Sequence, residues 1–247
     1  MHLAAHYLAA AGISFLDKKD DDSHTNLGLS RGTGRLQTHP LSSNGDILSL
    51  DYTDFSLRWD AQNNSSIFPL NGATHAQVLT WLQETSKTIL NRDYTYKFHY
   101  NLPYPISPDF TFELLSEKRL KELLDLRILA QSTLEEILAV YRLESSIRIW
   151  PHHFDTGAYA KVNDRFAIGF GLAIPDTLCT THYFYISGYE GHDAISTTGF
   201  AQLSFGEWKD NGFKGGLLPA SAIGQLKAVT FLKEAINSYK IGSKTQF

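Results

Sequence analysis

The stretch SerIlePheProLeu (66–70), followed shortly by ValLeuThrTrpLeuGlnGlu (78–84), decides the reading of the fold. It recurs as GlyGlyLeuLeuProAla (215–220) followed by AlaValThrPheLeuLysGlu (228–234). Each copy reads as a short apolar strand that ends at a proline and gives way to a helix, with apolar residues at helical spacing after the turn. The register holds without a gap, since Pro69 answers to Pro219 and Trp81 to Phe231. Two such copies predict two similar halves and an internal duplication. Shared strand-to-helix structure without common descent is the competing explanation, because the identities are few.

Upstream of the first copy, 35–41, 46–52, 55–60 and 65–70 group apolar residues between turn signals, as strands do. Asn44-Gly45 is a hairpin signal. Residues 73–91 then read as a helix with Thr74 as its N-cap. Upstream of the second copy, strands are expected at 147–151, 157–160, 166–174, 182–188, 204–209 and 214–218, before a helix over 221–239. Between the halves lie a strand at 96–100, a proline-rich connector at 102–108 and a long amphipathic helix over 116–143. The sequence therefore predicts an α+β protein with a first half over 1–101, a connector and helix over 102–143, and a second half over 144–247. Each half is expected to be an antiparallel sheet with packed helices. The second half carries extra residues, placed at 189–202, where added asymmetry points to added function.

Composition narrows the classes. Hydrophobic residues at 43% and charged residues at 19% suffice to bury a core, so the chain is expected to fold. A formal net charge of −4 gives no basic field to draw in a phosphate backbone, so nucleic acid is not the expected partner. A single cysteine, Cys179, forms no intrachain disulfide and fits a reducing compartment, the cytoplasm. The alanine-rich start lacks the basic residues of an export signal and reads as a first helix over 2–11 that stops at Gly12. No apolar stretch approaches the roughly 18 residues of a membrane span, and no membrane partner is expected. Asp20, Asp21 and Asp22 read as a solvated loop.

The densest polar cluster is TrpProHisHisPheAspThrGly (150–157). On an extended chain His153 and Asp155 share one face, where an imidazole and a carboxylate reach a single substrate proton or metal ion. These two are the candidate catalytic residues, as base or ligand. HisThrAsnLeuGly (24–28) and HisPheAspThrGly (153–157) both read His-x-Asx-x-Gly, which nominates His24 as a third ligand beside His153 and Asp155 for a divalent zinc or iron. The blander reading is a satisfied His–Asp hydrogen bond, since no HisGluXaaXaaHis or paired CysXaaXaaCys is present. Tyr183 and Tyr185 share a strand face opposite Phe184 and, with Trp150 and His24, are the candidate binding residues. Filling a core is the alternative use of such rings. Cys179 has no neighbours that would activate it, and GlyPheGlyLeuAlaIlePro (169–175) reads as a close-packed strand rather than a nucleotide loop.

ArgLeuGlnThrHisProLeu (35–41), LeuSerLeuAspTyrThrAspPheSerLeu (48–57), Phe154-Asp155, Gly169-Phe170, TyrPheTyrIleSerGlyTyr (183–189) and LeuLeuPro (217–219) together form a diffuse pattern. It resembles the bacterial domain-of-unknown-function family 5996. The resemblance implies no activity. It implies that Phe154 and Asp155 match the family's Phe-Asp pair and that His24 lies near a histidine of the pattern, while His152 and His153 depart from it, which weakens a metal site for the family at large. The expected function is a small-molecule site, binding or enzymatic, between the halves, with metal-dependent hydrolysis the simplest chemistry. A non-catalytic structural or protein-interaction role is the alternative.

Overall fold

A computed structural model of the protein describes residues 1–62, 64–102, 106–221 and 223–243. Helix α1 (His2–Phe15) precedes strands β1 (Gly28–Ser30), β2 (Arg35–Gln37), β3 (Ile47–Asp51), β4 (Ser56–Asp60) and β5 (Ser66–Pro69), and helix α2 (His75–Leu90) follows them. Helix α3 (Glu117–Tyr141) leads to β6 (Arg148–Trp150), β7 (Asp155–Lys161), β8 (Phe166–Ala173), β9 (Tyr183–Glu190), β10 (Asp193–Ala194), β11 (Glu207–Lys209) and β12 (Gly215–Pro219), and then to α4 (Gln225–Ser243). A five-stranded sheet has the order β1-β2-β3-β4-β5, and a seven-stranded sheet the order β11-β12-β9-β8-β7-β6 with β10 on β9. Strand pairs in both are antiparallel, so the expected α+β class is the observed one. The chain divides into two units, Met1–Leu126 with Ile149–Phe154, and Arg127–Arg148 with Asp155–Phe247.

The strand-to-helix step that opened the sequence reading has the same length in both places. β5 ends at Pro69 and α2 starts at His75, while β12 ends at Pro219 and α4 starts at Gln225. The outer edges differ: β5 is the last strand of its sheet, whereas β12 lies between β9 and β11.

In the first unit, alternation sorts β3 and β4 into two faces. Leu48, Leu50, Leu57 and Trp59 are fully buried on one, with Leu50 opposite Leu57 and Leu48 opposite Trp59. Onto this face α1 sets Phe15 edge-on to Trp59, with centroids 6.0 Å apart, and α2 sets Trp81 against Phe68 at 5.4 Å. The other face is ionic. Arg35 Nε donates to Asp51 Oδ2 at 2.7 Å, Arg58 Nε lies 2.9 Å from the same oxygen, and Asp51 is 1% exposed. Burial alone would raise the Asp51 carboxyl, but hydrogen bonds from the Thr53 hydroxyl and amide and from Arg35 hold it below the ordinary carboxylate range.

Three local expectations change. α1 runs through Gly12 to Phe15, because Gly12 is a packing glycine: a Cβ there would stand 2.5 Å from the His24 carbonyl oxygen. Residues 96–100 form no strand; Tyr94, Tyr96 and Phe98 instead turn their rings toward α1, where Tyr94 donates to the Tyr7 carbonyl at 3.1 Å. The segment 150–157 is not one extended chain, since 151–154 is a turn with Phe154 in the left-handed region (φ 55°). Thr74 caps α2 as expected, in a capping box with Gln77. Of the connector, 103–105 lie outside the described residues.

In the second unit, Phe166, Ile168, Phe170, Leu172, Phe184 and Ile186 line one sheet face. α4 packs there through Phe231 and Tyr239, and Gly216 and Gly188 leave the room those rings fill. From α3, buried Arg127 donates to Thr156 Oγ1 at 2.6 Å on the same face. The expected insertion is tied to its neighbours: Asp210, just after β11, accepts from Ser196, Thr197 and Thr198, and β10 pairs with β9. Among the described residues, no helix is long and apolar enough to cross a membrane.

Candidate functional site

Histidines gather in the first unit. His2 and His6 are four residues apart on α1 and so share a helix face, with ring centroids 5.0 Å apart. Turn 151–154 meets that face: His2 Nε2 donates to the Pro151 carbonyl at 2.7 Å and the His2 ring stacks on Phe154 at 4.9 Å. The extended segment before 101 supplies Phe98, whose ring is edge-on to His6 at 6.0 Å, and Tyr100, which lies 5.3 Å from Phe98 and 5.6 Å from His152. His152 in turn lies 4.3 Å from His153 and 6.0 Å from Trp150.

A cavity of about 290 Å³ opens here, lined by Asp22, Thr25, Tyr100, Asn101, His152 and His153. Asp22 is held in the left-handed region (φ 55°), unusual for a residue with a side chain. Its carbonyl accepts from the Thr25 amide at 3.0 Å and the Thr25 hydroxyl at 2.9 Å, and its carboxylate takes His99 Nε2 at 2.9 Å. The turn thus presents a carboxylate at the cavity wall, and its conformation is paid for by those bonds.

Behind the cavity the polar groups are buried and incompletely partnered. His6 is fully buried and its ring nitrogens make no hydrogen bond of normal geometry, the nearby Pro151 carbonyl being taken by His2; the Tyr96 and Tyr100 hydroxyls are buried without a partner. Burial, the first cause, and repulsion from His2 and His152 push His6 down to about 4, against a smaller upward pull from the Pro151 carbonyl. Burial, with Asp22 nearby, pushes Tyr100 up to about 12. Near neutral pH Tyr100 therefore lines the cavity as a neutral phenol, able to donate and accept without carrying charge, and the neighbouring buried His6 is a neutral imidazole.

The sequence-predicted residues fall in different units. His24, Trp150 and His153 belong to the first, with His153 lining the cavity; Asp155, Tyr183 and Tyr185 belong to the second. His24 is buried and its Nδ1 accepts from the Lys19 amide at 3.3 Å, a bond within its own loop. Tyr185 donates to Asp155 Oδ2 at 2.5 Å and Tyr183 to Asp176 Oδ2 at 2.7 Å, so these tyrosines do share a face as expected, and both spend their hydroxyls on carboxylates. Gly157 makes the first pair fit, since a Cβ there would stand 2.8 Å from the Tyr185 hydroxyl.

Among the described residues no group of three or more His, Cys, Asp or Glu is placed to hold a metal ion. The turn at 151–154 interrupts the extended chain on which His153 and Asp155 would share a face; His24 Nδ1 accepts within its own loop, and Asp155 Oδ2 accepts from Tyr185 while its Oδ1 is buried without a partner.

His2, His6, Asp22, His99, Tyr100 and Asn101 were not singled out as site residues from the sequence. The recoverable signal was the pair of histidines one helical turn apart in an alanine-rich helix, a polar face where propensity alone would place none. Compared with known protein families, with curated proteins and with solved structures, the chain finds no match.

Proposed function

We propose that the first unit binds a small, planar, hydrogen-bonding molecule in the cavity beside His152 and His153. The observation that carries this reading is the Tyr100 hydroxyl, buried without a hydrogen-bond partner on a residue that lines the cavity together with His152. A buried polar group without a partner forfeits roughly 1–3 kcal/mol, so its retention favours a role in recognition over one in packing. The cavity sits near the lower size limit of ligand pockets, roughly 300 Å³, which suits a ligand of one or two rings. Tyr100 and the imidazoles offer flat faces, while Asn101, Thr25 and Asp22 offer an amide, a hydroxyl and a carboxylate.

If the ligand reacts, His153 is the exposed imidazole at the rim and the natural group to move a proton. Metal-dependent hydrolysis at His153, Asp155 and His24 gains no support from the side-chain grouping. The acidic net charge favours a small molecule over nucleic acid, and the single cysteine favours the cytoplasm. Internal duplication, and membership of family 5996, are proposed alongside, on the equal strand-to-helix spacing and on the quoted motifs respectively.

The test is a titration with imidazole, benzamide and nicotinamide, followed by the NMR signals of Tyr100, Asn101 and His152. At least one fragment is expected to bind in roughly the millimolar range, as its few heavy atoms allow, and His152→Ala is expected to abolish the shifts. Absence of any shift with all three fragments would overturn the proposal.

A further inference from the structure

The second unit has a cleft of about 650 Å³ lined by Val140, Tyr141, Arg142, Leu143, Glu144, Lys161, Val162 and Lys240. Its cations come from three elements: Arg142 from the end of α3, Lys161 from the end of β7 and Lys240 from α4. In a chain of net charge −4, Arg142 and Lys161 bring two exposed cations to one cleft. Neither Arg142 nor Lys161 is ion-paired among the described residues, and Glu144 lies in the same cleft without a charged partner. The Lys240 ammonium is held over the Tyr141 ring at 4.6 Å, and the Tyr141 hydroxyl is anchored on the Lys233 carbonyl at 3.3 Å.

Arg142 stands where the backbone argues for another residue. The Leu143 amide bonds the Leu138 carbonyl at 2.9 Å and the Arg142 amide bonds Ala139 at 3.3 Å, which makes the helix end a Schellman motif with Arg142 at its left-handed position (φ 53°). Glycine is favoured there, and a β-carbon is disfavoured. Arg142 lines the cleft from that position, and a guanidinium is the side chain best shaped to grip an oxyanion with two parallel bonds. Val140, which is 52% exposed, adds uncovered apolar surface beside Leu143 and Val162.

We propose that this cleft binds a small organic anion, a phosphate or carboxylate carried on an aromatic or apolar body. Arg142 and Lys161 take the anionic end, and Val140, Leu143 and Val162 meet the body. This site is independent of the histidine-lined cavity.

The test uses the full-length protein and calorimetric titration with phenyl phosphate, with inorganic phosphate as the bare-anion control. Phenyl phosphate is expected to bind more tightly than inorganic phosphate, and raising salt is expected to weaken both. Arg142→Gln and Lys161→Gln are each expected to weaken phenyl phosphate by about threefold to fivefold, the range of a single exposed ion pair, and Glu144→Gln to tighten it by a similar factor. Arg142→Gly is expected to melt at or above the parent temperature while binding more weakly, which separates the anion role from a folding role. No measurable binding of phenyl phosphate, or binding unchanged in an Arg142→Gln, Lys161→Gln double variant that melts normally, would overturn the proposal.

Discussion

Each unit sets helices on one face of an antiparallel sheet, and the two differ in the face they leave to chemistry. In the first, α1 and α2 flank a five-strand meander and pack on its leucine and tryptophan face; in the second, α4 and the part of α3 from Arg127 onward pack on the phenylalanine and isoleucine face of its sheet. Opposite the helices, the first sheet carries a ring of ions around Asp51, whereas the second carries tyrosines over glycines, with Tyr159 and Tyr189 both against Gly169. Apolar packing sets the plan, and polar groups on the remaining surface distinguish the units. Shared architecture therefore predicts where helices sit without predicting where a ligand binds.

The largest effects belong to what is common. Trp59→Ala and Phe231→Ala each remove a fully buried ring from the helix-covered face, and both are expected to cost about 3–5 kcal/mol in denaturant unfolding. A loss confined to one of them would mean that the two faces are not equivalent cores.

The next effect separates the units by pH. His6 titrates near 6.5 when unfolded and near 4 when folded, so its contribution to stability is intact above about pH 6.5 and is lost as pH falls toward 4. The loss has a ceiling of about 3 kcal/mol, from roughly 1.4 kcal/mol per pH unit. His6→Phe is expected to flatten stability over that window, as measured by urea unfolding at stepped pH. An unchanged slope would show that His6 does not govern the acid response.

Polar faces come third. Asp51→Asn leaves two guanidinium groups around a neutral amide and is expected to destabilise by about 2 kcal/mol, less than for a fully buried pair because both arginines reach solvent. Tyr185→Phe removes one hydrogen bond to Asp155 and is expected to cost about 1 kcal/mol. The smallest effect is Thr74→Ala, about 1 kcal/mol or less for the lost capping box of α2, visible as a small drop in melting temperature.

Much of the fold was legible because periodicity and punctuation are local. Pro69, Pro219, Thr74 and the alternation in β8 and β9 announce their elements from neighbouring residues alone. Gly12 misled because a helix stop and a packing contact call for the same residue, and only the approach of the His24 carbonyl tells them apart. Residues 96–100 misled because alternating aromatics suit a strand and also suit a segment laid along a helix. The site was harder still. Its residues come from α1, the loop at 22–25, the segment before 101 and the turn at 151–154, and no spacing in the chain encodes that meeting. His153 stands out in the sequence because it adjoins a conspicuous cluster, and a positive φ at Phe154 interrupts the extended chain on which it would share a face with Asp155.

The central claim is that the ligand-reading surface lies in the first unit, at the cavity of Tyr100, Asn101, His152 and His153. Its most direct test is a residue-resolved NMR titration of the intact protein with the fragment that binds most tightly. The account predicts saturable shifts confined to those four residues and to His6. Saturable shifts centred instead on Asp155, Tyr183 and Tyr185, with the histidine cavity silent, would contradict it.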